Sequence, residues 1–250
     1  MPLDRVPYGL MMPTIYGPVI VNRHDINQTN HLLKTGRAHG HDSIDMISKL
    51  SVLKGPEPFV LDVGANFGLF SLGLASLLDG RGVYHCFEAQ RILFNMIAGS
   101  VALNGYTNIF CHHIAVGEEA GAIEIPQFDY NQAMNFGSVE FGEQQRERLS
   151  QERGHDPDKQ EFVPMRTLDS FGFPKVDILK VDVEGMEPQV LRGADALIDA
   201  HRPLMLVEHL KSDSQRLADQ ITAKNYKLYA LSDDFICIPN ELAHLIPDPS

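Results

Sequence analysis

The chain has 250 residues and a formal net charge of −12, with no run of Lys and Arg that could follow a phosphate backbone, so nucleic acid is not an expected partner. Its first residues, MPLDRVPYGLMMP, lack a basic leader ahead of an apolar run, and no stretch reaches the roughly 18 apolar residues of a membrane span. A cytoplasmic protein without membrane contact is expected, with one α/β core and no interior linker between domains of similar size.

Residues 1–58 read as an N-terminal extension, in which Ile44, Ile47 and Leu50 mark an amphipathic helix begun by Asp42 as N-cap and lying over one edge of a sheet. Residues 59–250 read as the main domain. Strands are predicted at 59–63, 82–87 and 108–112, with helices at 69–78 and 92–103 between them. A substrate-side insertion is expected at about 120–165. Within it, 122–128 is β-rich, 131–142 has no periodicity, and 143–161 is dense in charge and Gln, which predicts a solvated helix or loop rather than a lid. After it come a buried strand at 176–181 and one helix presenting Val190, Leu191, Ala194, Leu197 and Ile198 on one face, with Pro188 in its first turn. A strand at 204–208 precedes a helix capped by Ser212 and Gln215, and strands at 226–231 and 235–238 close the chain as a hairpin. This alternation predicts a largely parallel α/β sheet with helices on both faces.

The three cysteines, Cys86, Cys111 and Cys237, lie in short apolar runs and read as core residues. The 11 histidines are scattered, and His39-Gly40-His41 has no further ligand at metal spacing.

The chemistry concentrates in VLDVGANFG (60–68), where a strand ends in a tight turn into an apolar helix. Free N–H groups at such a turn would favour an anionic ligand group. Asp62 stands at the strand's end, and Glu88, 26 positions later, stands at the end of the next strand, placed to accept from two ribose hydroxyls. The pair specifies a ribose and leaves the nucleoside cofactor open. The spacing G-x-N-x-G with an acid ahead of it departs from the G-x-G-x-x-G of dinucleotide sites, which disfavours a nicotinamide-dependent oxidoreductase.

VLDVGANFG, CFEAQ, HHIAVG, DILKVDVEGMEPQVLRGA and LMLVEHL, in that order, resemble the FkbM-type S-adenosylmethionine-dependent methyltransferases over residues 25–210, with VDVEGMEPQVLRG (181–193) the most specific part. The resemblance implies a Rossmann-like class I methyltransferase fold with a mostly parallel seven-stranded sheet and an antiparallel C-terminal hairpin. It implies S-adenosyl-L-methionine as cofactor, with Asp62, Gly64, Ala65, Asn66 and Gly68 at its methionyl end, Glu88 and Ala89 at the ribose, and Ala115 and Val116 beside the adenine. Asn66 suits a turn needing positive φ. Ala89-Gln90 replaces a proline-containing dipeptide usual in the family.

Members of this family mostly methylate hydroxyls of sugars or natural products, so a small-molecule hydroxyl acceptor is expected. The reacting end belongs beyond the strands that end near Asp182 and Glu208. Asp182, Glu184, Glu208 and His209 are the catalytic candidates, with His209 as base because imidazole titrates close to physiological pH. Asp182 could also contact the cofactor or position the acceptor, or join Glu208 in holding a divalent cation, while Glu184 could instead cap the following helix. Asn135, in a loop matching the family's Asn-Gly loop, is the candidate acceptor contact. A cofactor-binding protein without catalysis is the remaining alternative. No heptad or unexplained apolar stripe marks an oligomer interface.

Overall fold

The computed structural model describes residues 6–138 and 155–246. An antiparallel hairpin, β1 (Gly9–Thr14) and β2 (Gly17–Asn22), is followed by α1 (Gln28–Thr35) and α2 (His41–Leu50). Next come β3 (Phe59–Val63), α3 (Leu69–Leu77), β4 (Val83–Phe87), α4 (Arg91–Leu103) and β5 (Ile109–His112). The insertion is a three-stranded sheet of β6 (Ala115–Val116), β7 (Gly121–Phe128) and β8 (His155–Arg166), with β8 in the middle. Then follow β9 (Ile178–Val181), α5 (Glu187–Arg192), α6 (Asp195–His201), β10 (Leu204–Glu208), α7 (Ser214–Thr222), β11 (Tyr226–Leu231), β12 (Asp234–Pro239) and α8 (Asn240–Ala243).

The main sheet has seven strands in the order β11-β12-β10-β9-β3-β4-β5, and only β12 runs antiparallel to its neighbours. The chain winds outward from β3 through β4 to β5, then returns to β9 and winds the other way through β10. The direction therefore reverses between β3 and β9. Beyond the carboxyl ends of two strands at such a switch point, the loops diverge and leave a crevice.

Both sheet faces are covered, so its inner strands read as nearly continuous apolar runs. Val60, Tyr84, Cys86, Ile178 and Leu206 face one core, shared with α2, α3, α4 and the N-terminal hairpin. Leu61, Val63, Leu179, Val181 and Val207 face the other, shared with α5, α6 and α7. Two charged residues interrupt the runs, Asp62 on β3 and Lys180 on β9, and they are paired in register.

Several local expectations are corrected. The N-terminal hairpin was not legible, and its β2 packs on α4. Asp42 lies in the first turn of α2 behind Gly40, and the helix packs on α3 across a sheet face, not over an edge, with Ile44 against Gly73. The single helix expected after residue 185 is two, α5 and α6, broken at Gly193. A Cβ at Gly193 would lie 2.0 Å from the carbonyl oxygen of Gly117, so the chain there follows a close approach that a continuous helix does not supply. Asp213, not Ser212, caps α7 by accepting from Arg216 N. Residues 155–161 belong to β8 and are no solvated helix or loop; 143–154 lie outside the described residues.

Candidate active site

A cleft of about 370 Å³ opens at the carboxyl ends of β3, β4, β9 and β10. The turn after β3, the residues after β4 and the strand β6 line one half. The loop 182–186, Glu208 and Leu210, the β11–β12 turn and residues 27–28 and 39–43 line the other.

The turn is built from left-handed residues, Gly64 at φ +76°, Asn66 at +53° and Gly68 at +78°. Gly64 is required on a second count, because a Cβ there would sit 1.7 Å from the carbonyl oxygen of Asp182. Four of the turn's amides are not free as the sequence suggested. Gly64 N and Ala65 N both donate to Phe87 O, Asn66 N donates to Glu88 Oε2, and Gly68 N donates to Ala65 O. The close approach of the end of β4 satisfies the first three and the turn itself the fourth, so these four cannot cradle an anionic group.

Glu88 is 6% exposed, and its other oxygen accepts from Gln90 N at 2.8 Å. Burial pushes its carboxyl up to about 7, against the two backbone hydrogen bonds that favour the charged form. Each oxygen keeps a further lone pair, so the group can still accept from a diol in the cleft. Gln90 fills the place of the family's proline differently: its Nε2 donates to Phe136 O at 2.8 Å and so holds the Asn135 loop. Asp25 holds the same loop from the N-terminal segment, accepting from Phe136 N as well as from Thr29 N. Neither role was foreseen.

At the opposite end, carboxylate oxygens of Asp182, Glu184 and Glu208 lie within 4.8 Å of one another. Burial, then the neighbouring acids, push Glu184 up to about 7 and Glu208 up to about 9. Oε2 of Glu208 is buried without a hydrogen-bond partner. Lysines flank the trio: Lys211 Nζ lies 2.5 Å from Glu184 Oε2 and Lys180 Nζ lies 3.3 Å from Asp182 Oδ2. Counter-charge is thus already present, and the divalent-cation reading rests on carboxylate spacing alone.

Gly64, Asn66, Glu88, Ala89, Ala115, Val116, Asn135, Asp182, Glu184 and Glu208 all line the cleft. Asp62, Ala65, Gly68 and His209 do not. Asp62 is fully buried beneath the turn, where Ser71 Oγ donates to it at 2.8 Å, so it cannot meet a ligand. Gly68 is buried against Ile97. His209 follows Glu208 at the end of a strand, where side chains alternate, and so points away from the cleft and stacks on Phe235 with ring centroids 4.2 Å apart. Glu184 is not the helix cap: Met186 is the N-cap of α5, no side chain caps that helix, and Glu184 pairs instead with Lys211.

The sequence matches the methyltransferase FkbM domain over residues 62–228. It is 25% identical over 158 residues to methyltransferase sdnD of Sordaria araneosa, covering 55% of this chain and 61% of that protein. It is 26% identical over 154 residues to methyltransferase 1 of Beauveria bassiana, covering 56% of this chain and 59% of that protein. The matched segment therefore spans about three fifths of these relatives. A crystal structure of methyltransferase FkbM from Methylobacillus flagellatus aligns with a TM-score of 0.50 at 18% identity, over 73% of this chain and 42% of that one, which supports the shared fold. With the motifs, the switch-point cleft and a family match over two thirds of its length, this chain belongs to the FkbM methyltransferase domain family.

Proposed function

We propose that this protein transfers the methyl group of S-adenosyl-L-methionine to a hydroxyl of a small sugar or natural product. The observation that carries the reading is the single concave space that holds Glu88 at one end and the Asp182, Glu184 and Glu208 trio at the other. Its volume of about 370 Å³ falls within the range of about 300–1,000 Å³ usual for small-molecule sites. Asp42, Glu88, Asp182, Glu184, Glu208, Asp233 and Asp234 line it, and no Lys or Arg does among the described residues. With several of these carboxyls holding a proton or paired with a lysine, the wall offers hydrogen-bond partners to a neutral polyol and no cation to a polyanion.

S-adenosyl-L-methionine, when bound, supplies a methyl group on a sulfonium. The protein's part is to hold the acceptor oxygen in line and to take its proton. Glu88 would accept from the ribose hydroxyls, and Ala115 and Val116 would flank the base. Asn135 and the trio orient the acceptor, and its proton passes to the trio. The carboxyls of Glu184 and Glu208, pushed up to about 7 and about 9 and with oxygens within 4.8 Å of each other, suit that transfer better than a histidine outside the cleft. Cytoplasmic location and the absence of a nucleic-acid partner belong to the same reading.

Calorimetric titration with S-adenosylhomocysteine, with NAD(H) as the control, tests the cofactor half; binding of NAD(H) alone would reverse it. A panel of hydroxylated acceptors with labelled donor tests the transfer. Tight S-adenosylhomocysteine binding with no transfer to any acceptor would favour a binding protein instead.

A further inference from the structure

A lysine in the middle of a buried strand needs an anionic partner, because an unpaired buried ammonium costs several kcal/mol. Lys180 is 7% exposed on β9, and its register partner on the adjacent strand is the fully buried Asp62. Its Nζ lies 3.4 Å from Asp62 Oδ1, an ion pair without hydrogen-bond geometry at that oxygen, and 3.3 Å from Asp182 Oδ2. Its shortest contact is a hydrogen bond donated to Gly64 O at 2.6 Å. One ammonium thus touches the acid beneath the glycine turn, the turn's first carbonyl and the acid at the reacting end.

These three contacts differ in kind. Asp62 is sealed from the cleft and serves as counter-ion. Gly64 and Asp182 both line the cleft, Lys180 Nζ bridges them, and the Asp182 carbonyl lies so near that a Cβ on Gly64 would sit 1.7 Å from it. A substitution at Lys180 would free the turn from β9 at the side-chain level while leaving the far end of the cleft, at Glu88 and β6, without any direct contact to lose.

We propose that Lys180 is a positioning residue that locks the Gly64 turn to Asp182 and thereby shapes the amino-acid end of the cofactor site, with Asp62 as its buried counter-ion. The assignment rests on the S-adenosylmethionine reading above. It also gives the acid two residues before the first glycine a role in place of ligand contact.

Lys180→Met alone leaves Asp62 buried and uncompensated, and loss of fold would explain any result. The double variant Asp62→Asn with Lys180→Met removes both charges together and keeps the question open. Calorimetry compares two probes on it, S-adenosylhomocysteine, which fills the whole cofactor site, and 5′-methylthioadenosine, which lacks the amino-acid end. The expected result is a thermal midpoint within a few degrees of wild type, S-adenosylhomocysteine affinity down at least about ten-fold, and 5′-methylthioadenosine affinity within about two-fold. Equal losses for both probes, or no loss for either, would overturn the assignment, since a merely structural lysine does not distinguish them. If wild type binds 5′-methylthioadenosine and S-adenosylhomocysteine equally well, the amino-acid end is not at this turn and the assignment also fails. Wild type that binds neither probe refutes the cofactor reading itself, and the assignment falls with it.

Discussion

Glu208 and His209 are neighbours in sequence and face opposite sides of the sheet. Glu208 lines the cleft with one oxygen unpartnered, while His209 stacks on Phe235 of β12 and its backbone N–H donates to Asp233 O at 2.9 Å. Two substitutions separate their roles. His209→Gln is expected to leave methyl transfer within about two-fold of wild type, with a modest drop in thermal midpoint from lost stacking. Glu208→Gln keeps shape and removes the acid, so transfer should fall by about 10²-fold or more with little change in S-adenosylhomocysteine affinity. Steady-state rates on any acceptor found in the panel decide between them, and loss of activity in His209→Gln alone would restore the histidine as base.

The placement of His209 outside the cleft shows what the sequence could and could not reveal. The α/β alternation, the switch-point cleft and the hairpin were legible because periodicity and turn residues encode them locally. Which side of a strand end faces a cleft was also legible, since the two-residue period applied from Val207 puts Glu208 and His209 on opposite faces. Lys180 was a readable anomaly too, a lysine within DILKV, as was Asp62 within FVLDV; two opposite charges in strands that are otherwise apolar imply a pair. By contrast, the N-terminal hairpin carries prolines at positions 13 and 18, inside its strands, and was hidden. The engagement of the turn amides by Phe87 O and Glu88 and the holding of the Asn135 loop by Asp25 and Gln90 depend on long-range contacts that no local pattern reports.

Gly64 and Gly36 share a left-handed backbone, φ +76° and +68°, but only Gly64 has another chain segment against it. Gly36→Ala should therefore cost about 1–2 kcal/mol, the conformational penalty alone. Gly64→Ala adds a collision with the Asp182 carbonyl at 1.7 Å and must displace the loop that carries Asp182. Its destabilisation in urea should exceed that of Gly36→Ala by at least about 1 kcal/mol, and S-adenosylhomocysteine binding should disappear in Gly64→Ala only. Equal effects of the two substitutions would mean that the approach to Asp182 relaxes without consequence.

Asn135 lines the cleft from a loop pinned on both sides, by Asp25 and by Gln90. Truncating it to Ala should raise the acceptor KM by about three- to ten-fold, the loss of roughly one hydrogen bond, and leave S-adenosylhomocysteine affinity unchanged. Unchanged KM and kcat would remove Asn135 from the acceptor site.

Glu88, Glu184 and Glu208 each hold their proton more tightly in the folded chain than a carboxyl does in an unfolded one, to about 7, 7 and 9. Between the ordinary carboxyl range and these values the folded state binds more protons, so their contribution to stability is present at low pH and lost as pH rises. The ligand-free protein should lose thermal stability from about pH 5 toward pH 9. Glu208→Gln should raise the midpoint at pH 8.5 and change it little at pH 4.5. A wild-type midpoint that rises steadily to pH 9, with no relative gain in Glu208→Gln, would contradict the burial of these charges.

His85 and His112 oppose that trend from the other side of the sheet. His85 Nδ1 and His112 Nε2 lie 2.9 Å apart with stacked rings, and His85 is enclosed by Phe59, Phe110 and Phe173 at centroid distances of 5.2, 5.0 and 4.8 Å. One ring must accept the hydrogen bond, so the pair cannot be doubly protonated without breaking it. Burial, then His112, push His85 down to about 4, and burial lowers His112. The unfolded chain therefore binds more protons below about pH 6.5, and the pair's contribution to stability, complete above that pH, is lost as pH falls toward 4. His85→Phe extends the aromatic stack and removes one titrating ring, at a cost of about 1 kcal/mol at pH 8 for the orphaned His112 nitrogen. The difference in thermal midpoint between His85→Phe and wild type should then narrow or change sign between pH 8 and pH 5. A constant difference across that range would mean that the pair already shares its charge state with the unfolded chain.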